Sequence, residues 1–117
     1  MLTFPPSVRI WCATTPTDLR RGFDGLAALV RTQLKGDPLS GHLFVFFNRR
    51  ADRLKVLYWD RDCLCLWYKR LEQGRLHFPP ADADCLELTP GQLQMILDGV
   101  DVQRLRRFKR YQRPAPA

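Results

Sequence analysis

Hydrophobic residues in the middle of the chain form short runs that polar, turn-like spacers separate. Residues 42–78 contain four such runs, Leu43–Phe47, Leu54–Trp59, Cys63–Tyr68 and Leu76–Phe78. The runs are rich in Phe, Val, Tyr and Trp, which suit a pleated, half-buried surface, and the spacers have hairpin lengths. The pattern predicts an antiparallel β-meander, which the alternating segment Val8–Cys12 can join as a further strand.

The two central runs also predict a register. If Asp60-Arg61-Asp62 is a three-residue loop, Trp59 pairs with Cys63, and alternation divides the side chains between two faces. The expected core face carries Leu54, Val56, Tyr58, Leu64, Leu66 and Tyr68. The opposite face mixes aromatic and basic groups and carries Arg53, Lys55, Leu57, Trp59, Cys63, Cys65, Trp67 and Lys69. A shift of one residue in either strand would invert that strand's assignment.

The residues before the meander predict an amphipathic helix over Pro16–Leu34. Pro16 suits a first helical position, and Thr15 or Thr17 can cap the helix. The apolar positions at helical spacing are Leu19, Phe23, Leu26, Ala27, Val30 and Leu34. Glycine costs about 1 kcal/mol relative to alanine inside a helix. The helix can therefore break near Gly22 or approach the sheet closely there.

The residues after the meander predict a loop and a short helix. The stretch Ala81–Glu87 is acidic and is expected to be a loop. Thr89 can cap a helix over Pro90–Asp98, which Gly99 can end. The predicted fold class is therefore α+β, an antiparallel β-meander of about four to five strands packed against one longer and one short α-helix.

Positive charge is unevenly distributed along the 117 residues, whose net charge is +7. Residues 103–113 contain six basic residues and no acid, whereas the residues before them carry a net charge of +1. We expect a single α+β domain over residues 1–102 and a basic C-terminal tail over residues 103–117. Basic tails often bind polyanions.

No metal and no cofactor is expected from the sequence. Structural zinc sites commonly use C-x2-4-C pairs, whereas Cys63 and Cys65 form a C-x-C pair and the two histidines lie in separate runs. The phosphate-binding motif GxxxxGK followed by Ser or Thr does not occur. No apolar run approaches the roughly 18 residues of a membrane span, and the first residues lack the pattern of a secretory signal. A cytoplasmic protein without membrane contact is therefore expected.

Three segments resemble a known family in their order and spacing, over more than half of the chain. They are TDLRRGFDGLAALV at 17–30, the residues from Gly41 to Pro79, and LTPGQLQMILDGVD at 88–101. In these segments the chain resembles the small TnpB-type accessory protein, the second reading frame, of the insertion-sequence-66 transposon family. This protein differs from the RNA-guided nucleases that share the TnpB name. The resemblance implies a mobile-element protein whose partner is a separate, larger transposase.

Catalysis is not expected from this chain. Metal-dependent DNA strand transfer needs several carboxylates that converge on divalent cations. The candidates are Asp24, Asp60, Asp62, Asp82 and Asp84, for which turn formation or solvated charge is the simpler explanation. We therefore predict a protein that is not an enzyme and has no catalytic residues.

Binding of transposon DNA is the expected function, because Lys and Arg on phosphates supply most non-specific nucleic-acid affinity. The candidate nucleic-acid-binding residues are Arg49, Arg50, Arg53, Lys55, Lys69, Arg70, Arg104, Arg106, Arg107, Lys109, Arg110 and Arg113. Trp59 and Trp67 are candidates for stacking on unpaired bases, with a second buried core layer as the other interpretation. The sequence thus predicts a non-enzymatic transposition accessory protein that binds DNA, the transposase or both. The alternative is a protein–protein adaptor without nucleic-acid binding, and self-association stays open.

Overall fold

A computed structural model describes residues 5–100 and 110–114 of the chain. The elements follow one another as β1 (Ile10–Ala13), α1 (Phe23–Thr32), β2 (Leu43–Phe47), β3 (Arg53–Asp60), β4 (Cys63–Arg70), β5 (Cys85–Leu88) and α2 (Pro90–Asp98). The mostly antiparallel five-stranded sheet and the two helices confirm the predicted α+β class. Within these two ranges, no helix is long and apolar enough to cross a membrane. The division into a domain and a basic tail stays a prediction, because most of the tail lies outside the described residues.

The sheet has the strand order β4-β3-β2-β1-β5. Strands β2, β3 and β4 form the predicted antiparallel meander. Strand β1 lies parallel to β2, with Ile10 opposite Leu43. Parallel neighbours need a crossover connection, so the chain between β1 and β2, which includes α1, passes over one face of the sheet.

The last strand of the sheet differs from the predicted one. Leu76–Phe78 is not a strand: Leu76 is buried, and the Phe78 ring stacks on Phe47 with centroids 4.4 Å apart. The fifth strand is Cys85–Leu88, inside the stretch predicted as a loop, and it pairs antiparallel with β1. Because its partner lies far earlier in the chain, no local hairpin signal marks this strand.

The first helix is shorter than predicted. It begins at Phe23 after Gly22, so the predicted start at Pro16 is wrong. No side chain caps this helix; instead the Thr17 amide donates a 2.8 Å hydrogen bond to the Phe47 carbonyl at the end of β2. That long-range bond holds the preceding residues beside the sheet and prevents an earlier helical turn.

The second helix matches its prediction. The Thr89 hydroxyl accepts a 3.1 Å hydrogen bond from the Gln92 amide, and the Gln92 side chain accepts one of 2.8 Å from the Thr89 amide. These reciprocal bonds form a capping box, with Pro90 in the first turn. Gly99 ends the helix at a φ of 77°, a conformation that glycine adopts without steric cost.

Both faces of the sheet are buried, because one helix covers each face. The cluster on the α1 side includes Leu26, Val30, Phe44, Phe46 and Leu57. The cluster on the α2 side includes Leu93, Ile96, Val45, Leu54 and Val56. All residues of β2 are buried, as expected for a strand whose two faces are covered. The prediction of one core face and one aromatic–basic face is therefore wrong.

The register of β3 against β4 is shifted by one residue from the prediction. Asp60 pairs with Cys63, so the loop consists of Arg61 and Asp62 only. Arg61 has a φ of 58°, and tight two-residue hairpin loops need such a left-handed residue. The shift moves every β4 side chain to the other face relative to β3. Tyr68, expected in the core, is consequently 48% exposed, whereas Trp67 packs against the cluster on the α2 side.

Candidate nucleic-acid interface

An open cleft of about 570 Å³ lies where three segments meet at one end of the sheet. The segments are the loop before α1, the β2–β3 turn and the end of β4. The lining residues are Pro16, Thr17, Asp18, Leu19, Arg20, Asn48, Arg49, Arg50, Arg53 and Tyr68. We call this feature the arginine cleft, because four arginines face it against one aspartate.

The loop before α1 is fixed to the sheet by a buried lysine. Lys55 is only 7% exposed, and its ammonium donates hydrogen bonds of 2.7 Å to the Leu19 carbonyl and 3.0 Å to the Arg21 carbonyl. Leu19 is itself buried in the α1-side cluster. Together with the Thr17–Phe47 bond, these contacts hold the wall of the cleft that carries Asp18 and Arg20.

The β2–β3 turn that carries Arg49 and Arg50 is held by its first residue, Asn48. The Asn48 side-chain oxygen accepts hydrogen bonds from the amides of Asp52 at 3.1 Å and Arg53 at 3.0 Å. Its side-chain nitrogen donates a 2.6 Å bond to the Asp52 carboxylate, and this bond is the main reason why the pKa of Asp52 is lowered. The turn therefore presents both arginines from a fixed backbone.

Among the described residues, one acidic side chain lines the cleft, and it is already paired. Asp18 accepts bonds of 3.0 Å and 2.7 Å from the Arg20 guanidinium, and these bonds lower the pKa of Asp18 to about 2. Arg49 and Arg50 are exposed and form no salt bridge within the part of the chain that the structure describes. The nearby Asp52 offsets part of the charge of Arg50 and Arg53, and the four arginines leave an excess of positive charge in the cleft.

An aromatic ring lies beside these arginines. The Tyr68 hydroxyl accepts a 3.2 Å hydrogen bond from Arg53, which orients the ring. The Lys55 ammonium lies 4.7 Å from the ring centroid, in a cation–π contact. The ring is half-exposed, so the site combines phosphate-binding groups with a surface on which a base can stack.

The predicted binding residues fall into different environments. Arg49, Arg50 and Arg53 line the cleft together, as the hairpin-tip hypothesis expected. Lys55 lies in the interior, where its ammonium donates hydrogen bonds to two carbonyls of the protein itself. Lys55 is therefore no longer a candidate for surface binding. Lys69 donates a 3.1 Å bond to the Leu97 carbonyl, and burial, with the nearby Arg110, lowers its pKa.

The other described basic candidates do not line the cleft. Arg70 forms a 2.9 Å salt bridge with Glu72. Arg110 donates hydrogen bonds to the carbonyls of Leu97 and Ile96, so it stabilises the C-terminal end of α2. Arg113 is exposed. Four candidates lie outside the described residues: Arg104, Arg106, Arg107 and Lys109.

The two tryptophans cannot form one stacking platform. Trp59 pairs with Leu64 on the α1 face, whereas Trp67 pairs with Val56 on the α2 face. Both rings are half-buried. Trp67 packs on the core, in agreement with the buried-layer interpretation.

The described residues contain no group of three or more His, Cys, Asp or Glu side chains that could hold a metal ion. Cys12 is buried, and burial raises its pKa to about 12, with a smaller contribution from Cys85. Burial is also the main cause of the raised pKa of Cys85. These thiols are therefore mainly protonated at neutral pH.

Sequence reasoning missed two residues of the cleft, Arg20 and Tyr68. The sequence predicts a helix over Arg20, whereas the long-range contacts of Thr17 with Phe47 and of Lys55 with the loop before α1 bring it to the β2–β3 turn. The predicted register, which differs by one residue from the observed one, puts Tyr68 in the core. A two-residue loop at Arg61-Asp62 would have exposed it, since loop length sets the register of a hairpin.

Comparisons with known proteins give one family and two close relatives. The model of the family described as IS66 Orf2 like protein matches residues 8–107. The uncharacterized protein y4hO of Sinorhizobium fredii (strain NBRC 101917 / NGR234) is 44% identical over 101 residues, which cover 86% of this chain and 88% of the relative. The uncharacterized protein y4jC of the same strain is 42% identical over 100 residues, which cover 86% of each chain. No solved structure matches the chain significantly.

Proposed function

The chain belongs to the IS66 Orf2-like family, and on that premise we propose that it is a transposition accessory protein that binds the DNA of its element through the arginine cleft. The family connects the chain with an insertion sequence. The observation that carries the DNA proposal is the convergence of four arginines, against one paired aspartate, on a cleft beside an exposed tyrosine. The chemical steps of transposition belong to the separate transposase in this proposal.

Fixed guanidinium groups support phosphate binding. Guanidinium binds phosphate oxygens in a bidentate geometry, and its charge persists at every physiological pH. The hydrogen bonds around Asn48 and Lys55 already hold the backbone that carries these arginines. Binding therefore requires little additional ordering of the backbone, and a larger share of the contact energy appears as affinity.

Tyr68 supports contact with a base as well as with the backbone of DNA. Because Lys55 lies over one face of the ring, a base would stack on the other face. Stacking of this kind contributes about 1–3 kcal/mol per base and requires an unpaired or frayed base. The site thus fits the end or junction of a duplex better than its uninterrupted middle.

Among the described residues, the cleft also lacks the carboxylates that a strand-transfer centre needs. Its single lining acid, Asp18, is bound to Arg20, whereas metal-dependent strand transfer uses several carboxylates on divalent cations. This arrangement supports binding rather than catalysis as the contribution of this site.

The test is binding of transposon-end oligonucleotides at several salt concentrations. The double variant Arg49→Gln/Arg50→Gln should lose affinity, and the slope of log affinity against log salt should decrease by about 0.9 for each lost phosphate contact on duplex DNA. The matched control is Arg31→Gln/Lys35→Gln, which removes the same charge from exposed positions outside the cleft. The control should keep nearly the wild-type slope.

Three results would contradict the proposal. If the two double variants lose affinity and slope equally, binding follows net charge and the cleft has no special role. If Arg49→Gln/Arg50→Gln binds DNA with wild-type affinity while removal of residues 103–117 abolishes binding, the basic tail is the DNA-binding segment. Absence of binding even at low salt would favour the protein–protein adaptor.

A further inference from the structure

Strand β4 forms one edge of the sheet, because β3 is its one neighbour among the described residues. Asp60 and Cys63 close a two-residue loop and therefore exchange both of their backbone hydrogen bonds. Since hydrogen-bonded and non-hydrogen-bonded pairs alternate along an antiparallel ladder, the backbone groups of Cys65 and Trp67 face β3. Those of Leu64, Leu66 and Tyr68 consequently point outward.

This edge has few of the features by which sheets discourage pairing. Edge strands are commonly blunted by prolines, bulges or a central charge. Strand β4 pairs with β3 over eight consecutive positions without a bulge and contains no proline. Its central residues, Leu64 to Trp67, are apolar and only half-buried. In the part of the chain that the structure describes, the outward groups thus form an accessible template for another strand.

The charges at the two ends of β4 select the occupant. Asp60, Arg61 and Asp62 precede the strand, with a net charge of −1, and Lys69 and Arg70 end it, so its start is acidic and its end is basic. The salt bridge from Arg70 to Glu72 is solvent-exposed and contributes little stability, so Arg70 can exchange Glu72 for an acidic residue of a partner. In an antiparallel pair of identical strands, the start of one strand meets the end of the other. We propose that β4 pairs with β4 of a second copy of this chain, across a two-fold axis at Leu66.

The register of this pair follows from parity and charge. Residues whose backbone groups point outward must oppose residues of the same kind in the second copy. The allowed registers therefore differ by a shift of two residues of one strand along the other. With Leu66 opposite its own copy, Leu64 opposes Tyr68, and Asp62, in the loop directly before β4, lies beside Arg70 of the second chain. Moving the axis to Trp67 brings Asp62 against Glu72 instead. Moving it to Cys65 brings Asp62 against Tyr68, so both neighbouring registers lose the pairing of Asp62 with Arg70.

The consequence is one continuous sheet of ten strands, formed by the two five-stranded sheets. A two-fold axis perpendicular to the sheet keeps the α1 faces of both copies on the same side. The two Tyr68 residues then lie about 14 Å apart along the strands, at 3.4 Å per residue. Self-association stands independently of the DNA proposal. If both hold, the two arginine clefts lie on one side of the dimer.

The first experiment measures the molecular mass of the intact protein in solution as a function of concentration. The wild type should form a dimer, and Asp62→Arg or Arg70→Asp alone should raise the dissociation constant on the order of tenfold, because each creates two like-charge contacts. Mixing the two single variants restores both opposite-charge pairs. The mixture should therefore form a heterodimer with nearly wild-type affinity.

The second experiment tests the axis directly by oxidative cross-linking in a Cys63→Ser/Cys65→Ser background. Opposed hydrogen-bonded residues have Cα atoms about 5.5 Å apart, a separation that a disulfide spans. Leu66→Cys should therefore yield a covalent dimer. The matched control Leu64→Cys, on the same face of the same strand, should not, because its copy lies about 14 Å away.

Several outcomes would overturn the proposal. A wild-type protein that stays monomeric at about 100 μM, well above the micromolar dissociation constants of weak specific complexes, would do so. A dimer whose dissociation constant is changed by neither Asp62→Arg nor Arg70→Asp would also overturn it, because such a dimer must associate through another surface. Equal cross-linking at the two cysteine positions in folded variants would refute the proposed register. Circular dichroism of each variant establishes folding.

Discussion

At the residue scale, Lys55 shows how a basic side chain can have a structural role. The sequence places it on a face with other basic groups, whereas its ammonium is buried and hydrogen-bonded to two carbonyls of the loop before α1. Lys55→Met should lower the free energy of unfolding by about 1–3 kcal/mol, because these buried carbonyls lose their donor. Chemical denaturation measures the loss, and the exposed Lys35→Met is the control.

A different result would return Lys55 to the binding surface. If Lys55→Met unfolds like the wild type yet binds DNA as weakly as the cleft arginine variant, its ammonium contacts phosphate. The structure gives the opposite expectation, a protein of lower stability whose residual affinity follows its folded fraction.

Asp18 is the residue whose removal should improve DNA binding. Asp18→Asn releases Arg20 and removes the one negative charge that lines the cleft, so we expect a several-fold gain in affinity and a steeper salt dependence. Asp24→Asn, at an exposed position outside the cleft, is the matched control. Equal gains for both variants would mean that overall charge, and not the cleft, determines the affinity.

The pH dependence of the Asp18 contact has a defined sign. Hydrogen bonds from Arg20 lower the pKa of Asp18 from 3.8 to about 2. A carboxyl group whose pKa is lower in the folded than in the unfolded chain stabilises the folded state. This contribution is complete at a pH above the unfolded pKa and is lost as the pH falls from about 4 towards about 2. Between pH 5 and pH 8, the difference in the free energy of unfolding between the wild type and Asp18→Asn should consequently stay constant.

At the element scale, the β3–β4 hairpin can be tested at its turn. Arg61 holds a φ of 58°, which costs a residue with a Cβ atom more than it costs glycine. Arg61→Gly should therefore raise the free energy of unfolding by up to about 1 kcal/mol, less the entropy that glycine adds to the unfolded chain. Asp62→Gly, where φ is not positive, should destabilise the protein. The reverse order of the two variants in a denaturation experiment would contradict the two-residue loop.

The elements also show what the sequence could and could not predict. Helix α2 was predictable to the residue, because Thr89, Pro90 and Gly99 form a complete set of local start and stop signals. The start of α1 was not, since the local signal at Pro16 is overridden by contacts with β2 and with Lys55. Strand β5 depends on a distant partner, β1, and its acidic surroundings suggested a loop.

At the scale of the whole molecule, net charge conceals the candidate site. The residues before the tail carry a net charge of +1, which predicts no particular surface, yet folding brings four arginines to one cleft. Arg49, Arg50 and Arg53 were predictable because a hairpin turn keeps neighbours together. Arg20 and Tyr68 were not, because the first depends on a non-local contact and the second on a register that one loop residue changes.

The most direct test of the central claim is capture of the separate transposase by this protein, with and without transposon-end DNA. A DNA-binding accessory protein should retain more transposase when the DNA is present. The variant Arg49→Gln/Arg50→Gln should lose that increase while Arg31→Gln/Lys35→Gln keeps it. Capture that is equally strong without DNA, and unchanged by the cleft substitutions, would contradict the account and establish an adaptor that works through protein contacts alone.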